Sequence, residues 1–324
     1  MRQFSNKFLL LGLILIVAAC TQQSRVMKIT IEEQKVLQDI PSVSGIEMIG
    51  DEFWLLSDNS PWLHIIDEHL NLLRKLRITD DTTALENGVI PKARKHDFEA
   101  MFSFKRAENA RIMLVGSGST KNRMEAKGLH ADGALTYTTH DLKSFFKLLM
   151  EKSGLLPEEL NIEAATVANE DLFLFNRDKN KVIRLRLEDF LKFLTQEEDE
   201  IQMDIFTVQL PSINGIKAGF SGATTTQDGK QILFTASVEN TSDWVQDGEV
   251  LGSMVGFISV DQLKDGLAPR CITLHDNGAP LLIKVESVAI VGEKNGGLYD
   301  CLLVTDSDGG ESEILRLTVR NSAD

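Results

Sequence analysis

Apolar residues in this chain gather into short runs bounded by Gly, Ser, Asn and Asp, and one arrangement of runs returns five times. Each unit opens on an acid or a serine followed by small and apolar residues, then a turn, then a nearly continuous apolar run. Ser44-Gly45-Ile46-Glu47 leads to "FWLLSDN", and Glu99-Ala100-Met101-Phe102 leads to "RIMLVGSGS". Glu163-Ala164-Ala165-Thr166 leads to "LFLFNRD", and Ser221-Gly222-Ala223-Thr224 leads to "QILFTAS". Glu286-Ser287-Val288-Ala289 leads to "CLLVTDSDG". The openings at 44, 99, 163, 221 and 286 are spaced by 55, 64, 58 and 65 residues. Runs this short, apolar throughout and rich in β-branched and aromatic residues, predict strands covered on both faces. A period of this length predicts a radial repeat of small sheets.

A third run follows in the same phase: "LHIIDEHL", "LTYTTHDLKSFF", "IRLRLEDFLKFL" and "GFISVDQLKDG". In the last three, Asp141, Asp189 and Asp261 stand where a short helix wants its N-cap. A fourth run, such as "LLRKLRI", "IFTVQL" or "RCITLH", completes strands A to D of a unit. The second unit shows no clear strand D after its helix, and the fifth stops at "EILRLTV". The strand "VMKITIEEQKVL" precedes the first unit without a sheet of its own. The fold class expected is therefore all-β: a β-propeller of five blades, six being the alternative, with the amino-terminal strand closing the last blade and short helices in the inter-strand connections. Closure of this kind removes the open sheet edges. The small residues Gly45, Ala100, Ala164, Gly222 and Ser287 suit strands A crowded around a central axis.

In such a ring the D-to-A and B-to-C connections share one face with the beginnings of strands A. Residues 79–97, read as D to A, and 118–132 and 239–253, read as B to C, put the long polar insertions there, where binding loops usually sit. The expected channel mouth holds Ser44, Glu99, Glu163, Ser221 and Glu286, with Glu47 deeper. Converging carboxylates repel and need a cation, shared protons or basic partners. Either Glu99, Glu163 and Glu286 hold a metal, hard oxygen donors suiting Ca²⁺, or each closes the ring through backbone N–H groups. Lys95, His96, Lys217 and Lys284 lie beside these anchors and Arg123 in an insertion on the same face, either as an electropositive bowl for a phosphate or carboxylate ligand or as solvated loop charge. Trp244 is a candidate cover for a ligand.

The amino terminus carries a different signal. Arg2 and Lys7 flank an apolar run from Phe8 to Ala19, too short for a membrane span and suited to a signal-peptide core. Val17-Ala18-Ala19-Cys20 resembles the lipobox of bacterial lipoproteins. The resemblance implies cleavage of residues 1–19, acylation of Cys20 by palmitate-like chains, a short tether over 20–26 and one domain over 27–324. Thr21 in place of Asp favours an outer-membrane position facing the periplasm over inner-membrane retention. Loss of Arg2 and Lys7 takes the formal net charge from −14 to −16, which argues against nucleic acid as a partner. Cys271 and Cys301 remain and are able to pair in an oxidising envelope.

The recurring Glu-(small)-(apolar) strand and the runs ending in "SD", "TD" or "NRD" resemble the phytase-like and esterase-like propeller superfamily, in particular bacterial lipoproteins of that kind. In its calcium-dependent phytases, axial acids bind ions that hold phosphate, and Glu99, Glu163 and Glu286 match their general position. Two of the five anchors are Ser, and no dense acidic cluster of the phytase kind is present. Other catalytic patterns fail. "GFSGA" at 219–223 is not G-x-S-x-G, "NRDKNK" lacks the Gly and Glu of a calcium loop, and "VGSGST" lacks the lysine of a phosphate loop. The expected function is a membrane-tethered binding or scaffold domain for a small anionic ligand or a protein. The alternative is a calcium-dependent hydrolase of phosphate or carboxylic esters.

Overall fold

A computed structural model describes residues 27–79, 85, 89–106, 109–130, 137–241, 248–306 and 311–321. The leader with Cys20, and Trp244, lie outside the described residues. Five four-stranded antiparallel sheets are arranged as blades of a propeller. Strand β1 (Met27–Pro41) precedes blade 1, which is β2 (Val43–Ile49), β3 (Glu52–Ser57), β4 (Trp62–Ile66) and β5 (Leu72–Arg77). Blade 2 is β6 (Phe98–Arg106), β7 (Asn109–Gly116), β8 (Glu125–His130) and β9 (Tyr137–Asp141); blade 3 is β10 (Ile162–Ala168), β11 (Asp171–Asn176), β12 (Lys181–Arg186) and β13 (Asp204–Thr207). Blade 4 is β14 (Gly219–Thr225), β15 (Gln231–Asn240), β16 (Glu249–Ser259) and β17 (Arg270–Thr273). Blade 5 is β18 (Lys284–Lys294), β19 (Leu298–Asp306) and β20 (Glu311–Asn321), with β1 as its fourth strand. Two small hairpins, Ser212–Lys217 and His275–Pro280, precede blades 4 and 5.

The ring closes as expected, β1 pairing antiparallel with β20 from Met27↔Asn321 to Pro41↔Glu311. The first strands of adjacent blades meet around the axis in order, β2 against β6, β6 against β10, β10 against β14, β14 against β18, and β18 back against β2. The crowding is real. A Cβ on Gly222 would lie 2.6 Å from the Cα of Ser287 on the next blade, and one on Gly45 would lie 3.2 Å from the Cβ of Met101. The core lies between neighbouring sheets: Phe175, Phe220 and Phe234 stack edge to face between blades 3 and 4 at 5.1 and 5.3 Å. Buried Leu303, Leu315 and Cys301 of blade 5 face buried Leu233 and Val255 of blade 4.

Blade 2 corrects the sequence reading. "YTTHD" is its strand D, and its strand C is Glu125–His130, inside the stretch 118–132 that the sequence reads as an insertion. The helix α1 (Lys143–Ser153) therefore joins D to A, whereas α2 (Leu187–Leu194) joins C to D of blade 3. The two helices pack together, Phe145 lying edge-on to Phe190 at 5.0 Å. Strand C was hidden by buried Lys127, whose ammonium contacts the Tyr137 ring (4.7 Å) and accompanies a Thr139 hydroxyl at 3.2 Å. The capping aspartates are also displaced. Asp141 accepts the Lys143 N–H (2.8 Å) from the end of β9, Asp189 lies in the first turn of α2, and Asp261 lies within a 3₁₀ turn. Cys271 and Cys301 are free thiols, because Cys271 is on the outermost strand of blade 4 and Cys301 on the second strand of blade 5. No described helix is long and apolar enough to cross a membrane.

Closure by β1 predicts that cysteines at Thr30 and Thr318, opposite one another in the register, will cross-link under mild oxidation. Non-reducing electrophoresis of Thr30→Cys/Thr318→Cys checks this; a chain that stays uncross-linked while folded contradicts the closure.

Candidate functional site: a charged basin at the axial mouth

Every strand A carries an irregularity at the same place. The register slips between Val43 and Gly45, Phe98 and Ala100, Ile162 and Ala164, Phe220 and Gly222, and Val285 and Ser287. The extra residue is in turn Ser44, Glu99, Glu163, Ser221 and Glu286, which are the five anchors. A bulge turns a side chain out of the regular alternation, and here it does so once per blade at the same end of the ring. Residues at the ends of strands B and in the adjoining loops complete the site.

Two chains of ion pairs result. In blades 1 and 2, the Lys95 ammonium bridges Asp58 and Asp97, lying 2.7 Å from Asp97. Asp97 also accepts from Arg123 (2.8 Å) and from the Ser117 hydroxyl (2.5 Å). In blades 3 to 5, Arg177 reaches Glu239 at 2.6 Å and stands 3.6 Å from Glu163. Lys284 lies 3.6 Å from Glu239 and 3.1 Å from Glu286. Arg177 crosses from blade 3 to blade 4 directly over Gly219, where a Cβ would sit 2.6 Å from its Cγ. The site therefore dictates that glycine.

Burial and pairing set the charges. Burial, reinforced by the carboxylates of Asp97, Asp58 and Glu163, holds Glu99 well above the usual carboxylate range. Burial pushes Glu286 up to about 8, even with Lys284 beside it. Burial likewise raises Glu163 against the pull of Arg177, and Asp58 against that of Lys95. For Asp97 burial is outweighed by Lys95 and Arg123, which keep it below its ordinary value. Lys95, Arg177 and Lys284 all lose solvation on burial, yet their acidic neighbours hold them above their ordinary values.

The remaining sequence candidates sort as follows. Ser44 donates to the carbonyl of Phe98 (2.7 Å) and so ties blade 1 to blade 2, whereas Ser221 donates to the Thr235 hydroxyl (3.1 Å) within blade 4. Glu47 lies further along β2, away from the bulge; it accepts from Ser103 (2.8 Å), and burial pushes its carboxyl up to about 7. His96 turns aside, pairing with Glu125 (2.8 Å) and stacking on Phe98 at 5.7 Å. Lys217 is exposed on the hairpin before blade 4 and joins none of these pairs.

Lys95, Arg123 and Lys284 form neither an electropositive bowl nor solvated loop charge, since each cation is largely buried and engaged by carboxylates. Among the described residues no backbone N–H donates to the carboxyl groups of Glu99, Glu163 and Glu286, and the three do not make one metal ligand set. Glu163 accepts from the Asn161 side chain (2.6 Å), and Glu286 is engaged by Lys284. Among the described residues, the group with oxygens within 4.8 Å of one another is Asp58, Asp97 and Glu99, and Lys95 already serves as the cation there. Sequence reasoning missed Asp58, Asp97, Ser117, Arg177 and Glu239. A signal was present: Asp58, Ser117 and Arg177 all follow the last paired residue of strand B and donate a backbone N–H to residues 42, 97 and 161.

A family model described as a family of unknown function, DUF6929, matches residues 39–319, the span of the five blades. The chain belongs to the DUF6929 family. No curated protein matches this DUF6929 member. Among solved structures it is similar to Myxococcus xanthus glutaminyl cyclase, with 8% identity over 90% of this chain and 97% of that one at a TM-score of 0.48. A putative exo-β-1,3-galactanase from Bifidobacterium bifidum s17 shows 12% identity over 88% and 92% at 0.46. Kuenenia stuttgartiensis hydrazine synthase shows 9% over 83% at 0.38, and there the chain spans 58% of the other's length. Likeness at this level says nothing of activity.

Removing one partner of a buried ion pair strands the other charge and costs roughly 3–5 kcal/mol, against 0–1 for an exposed pair. Arg177→Met is therefore expected to lose several times more stability in urea unfolding than Arg184→Met, whose partner Asp204 is exposed; equal losses would contradict the network. A second measurement concerns Glu47. A carboxyl raised in the folded state binds protons that the unfolded chain has released, so its contribution is lost as pH rises from about 4.5 to about 7. Glu47→Gln is expected to gain on the wild type by up to about 3 kcal/mol across that window, and a gap independent of pH would show Glu47 to be ordinarily solvated.

Proposed function

We propose that this chain is a lipid-anchored protein of the bacterial envelope whose propeller uses its axial mouth to bind a small polar ligand. The observation that carries the binding half is the convergence of charged side chains from all five blades on one half-open basin. Glu99 and Glu163 there are half-buried, while Asp97 and Arg177 beside them are buried. A ring held only by its core has no need of buried charge, which is costly to desolvate. The anchoring half rests on the leader: Arg2, Lys7, the apolar run to Ala19 and Cys20 as the acylated residue, with Thr21 favouring an outer-membrane position facing the periplasm.

A calcium-dependent ester hydrolase draws less support. Calcium at Asp58, Asp97 and Glu99 would have to displace the Lys95 ammonium, and the cations that would hold a phosphate are engaged by carboxylates.

Metabolic labelling with a palmitate analogue tests the anchor. The full-length chain should take up label and sediment with membranes, and Cys20→Ser should do neither; labelling that persists in Cys20→Ser would refute it. A thermal-shift screen of polar small molecules tests the mouth. Stabilising compounds should lose their effect in Glu163→Gln, whereas hits unaffected by that change would place binding elsewhere.

A further inference from the structure

Every basin cation is engaged by carboxylates, yet acceptor capacity is left over. Asp58 Oδ1 and Glu286 Oε2 are fully buried and accept no hydrogen bond among the described residues. Their side chains are only 10% and 5% exposed. Glu99, half-buried and nearer solvent, has the carboxylates of Asp97, Asp58 and Glu163 around it, with Lys95 as the opposing cation. Buried polar oxygens without partners are rare, and each of these asks for a donor once its carboxyl is ionised. A free amino or guanidino group supplies several donors and a positive charge at once. The protein already satisfies this chemistry internally, since Lys95 places an ammonium between two of these same carboxyl groups.

We propose that the basin recognises a ligand bearing a primary ammonium or guanidinium group, with Glu99 at the entrance and Asp58 Oδ1 and Glu286 Oε2 as acceptors behind it. The inference rests on the mouth being a ligand site and names the chemistry of its ligand. It reverses the sign expected from sequence: the site takes a cation, not a phosphate or carboxylate. The ammonium enters as the charged form and needs no covalent step. Carboxyl protons held by Glu99 and Glu286 in the free protein leave to solvent as it binds, so uptake of the cation is coupled to proton release.

The experiment is isothermal titration of the full folded chain with putrescine, agmatine, an end-blocked Gly-Lys-Gly peptide, calcium chloride and inorganic phosphate. Putrescine or agmatine is expected to bind with release of protons, read from the heat in buffers of different ionisation enthalpy. The free amines and the peptide separate a metabolite amine from a protein lysine as the source. Glu99→Gln, which removes a carboxylate crowded by others and should leave the fold intact by circular dichroism, is expected to weaken binding about tenfold or more. Glu188→Gln, on the outer helix α2, should not. Binding of phosphate in place of the amines would overturn the ligand class while leaving the mouth as a binding site, and binding of calcium alone would do the same. Failure of all five probes, or amine binding unchanged in Glu99→Gln, would overturn the proposal, and the former would remove the support for a ligand site at the mouth as well.

Discussion

Ionisable groups taken out of water must be paired, and at the axis of this propeller that requirement organises everything nearby. Six carboxyl groups (Asp58, Asp97, Glu99, Glu163, Glu239 and Glu286) meet four cations (Lys95, Arg123, Arg177 and Lys284) in a space with little water. Desolvating such charges is costly, and leaving one of them unpaired costs far more than keeping the pair. The cations accordingly sit between acids, and the acids left in excess avoid ionisation by keeping protons. Glu99 and Glu286 stand well above the normal carboxylate range for that reason. The site is electrostatically saturated on its positive side and unsatisfied on its negative side.

The backbone makes this possible through one device used five times. A bulge at the start of each inner strand aims one residue at the mouth, after which regular pairing resumes and small residues let the strands crowd together. The ring in turn depends on β1, without which β20 would present an open edge and blade 5 would lack its outer strand. Rigidity of the basin is inherited from this closure: Arg177 bridges blades 3 and 4, Lys284 bridges 4 and 5, and Lys95 bridges 1 and 2.

Much of the fold was legible, because strands buried on both faces write themselves as apolar runs between turn residues, and the period of those runs announces the blades. Legibility failed where polar residues are buried by local pairing. "EAKGLH" did not read as strand C because Lys127 lies beneath Tyr137, and polar "YTTHD" merged with the helix that follows. At the mouth, the anchors were legible as repeats, since the bulge recurs with the sequence pattern. The side-chain partnerships were not. Nothing in "NRDKNK" states that the Arg177 guanidinium crosses to a glutamate on the next blade. The sign of the site follows from those partnerships, so sequence alone left a bowl of cations and solvated loop charge as alternatives, and the folded ring has neither.

The claim on which the account turns is that the axial carboxyl groups are too many for the cations among them, and it is most directly measured by a carboxyl carbon-13 titration of the folded protein. Asp97 should titrate below its ordinary value, Glu286 near 8 and Glu99 well above the usual range. If instead Glu99 and Glu286 titrate together at the ordinary carboxylate value of about 4.3, the basin is open and solvated, and the account of its charge fails.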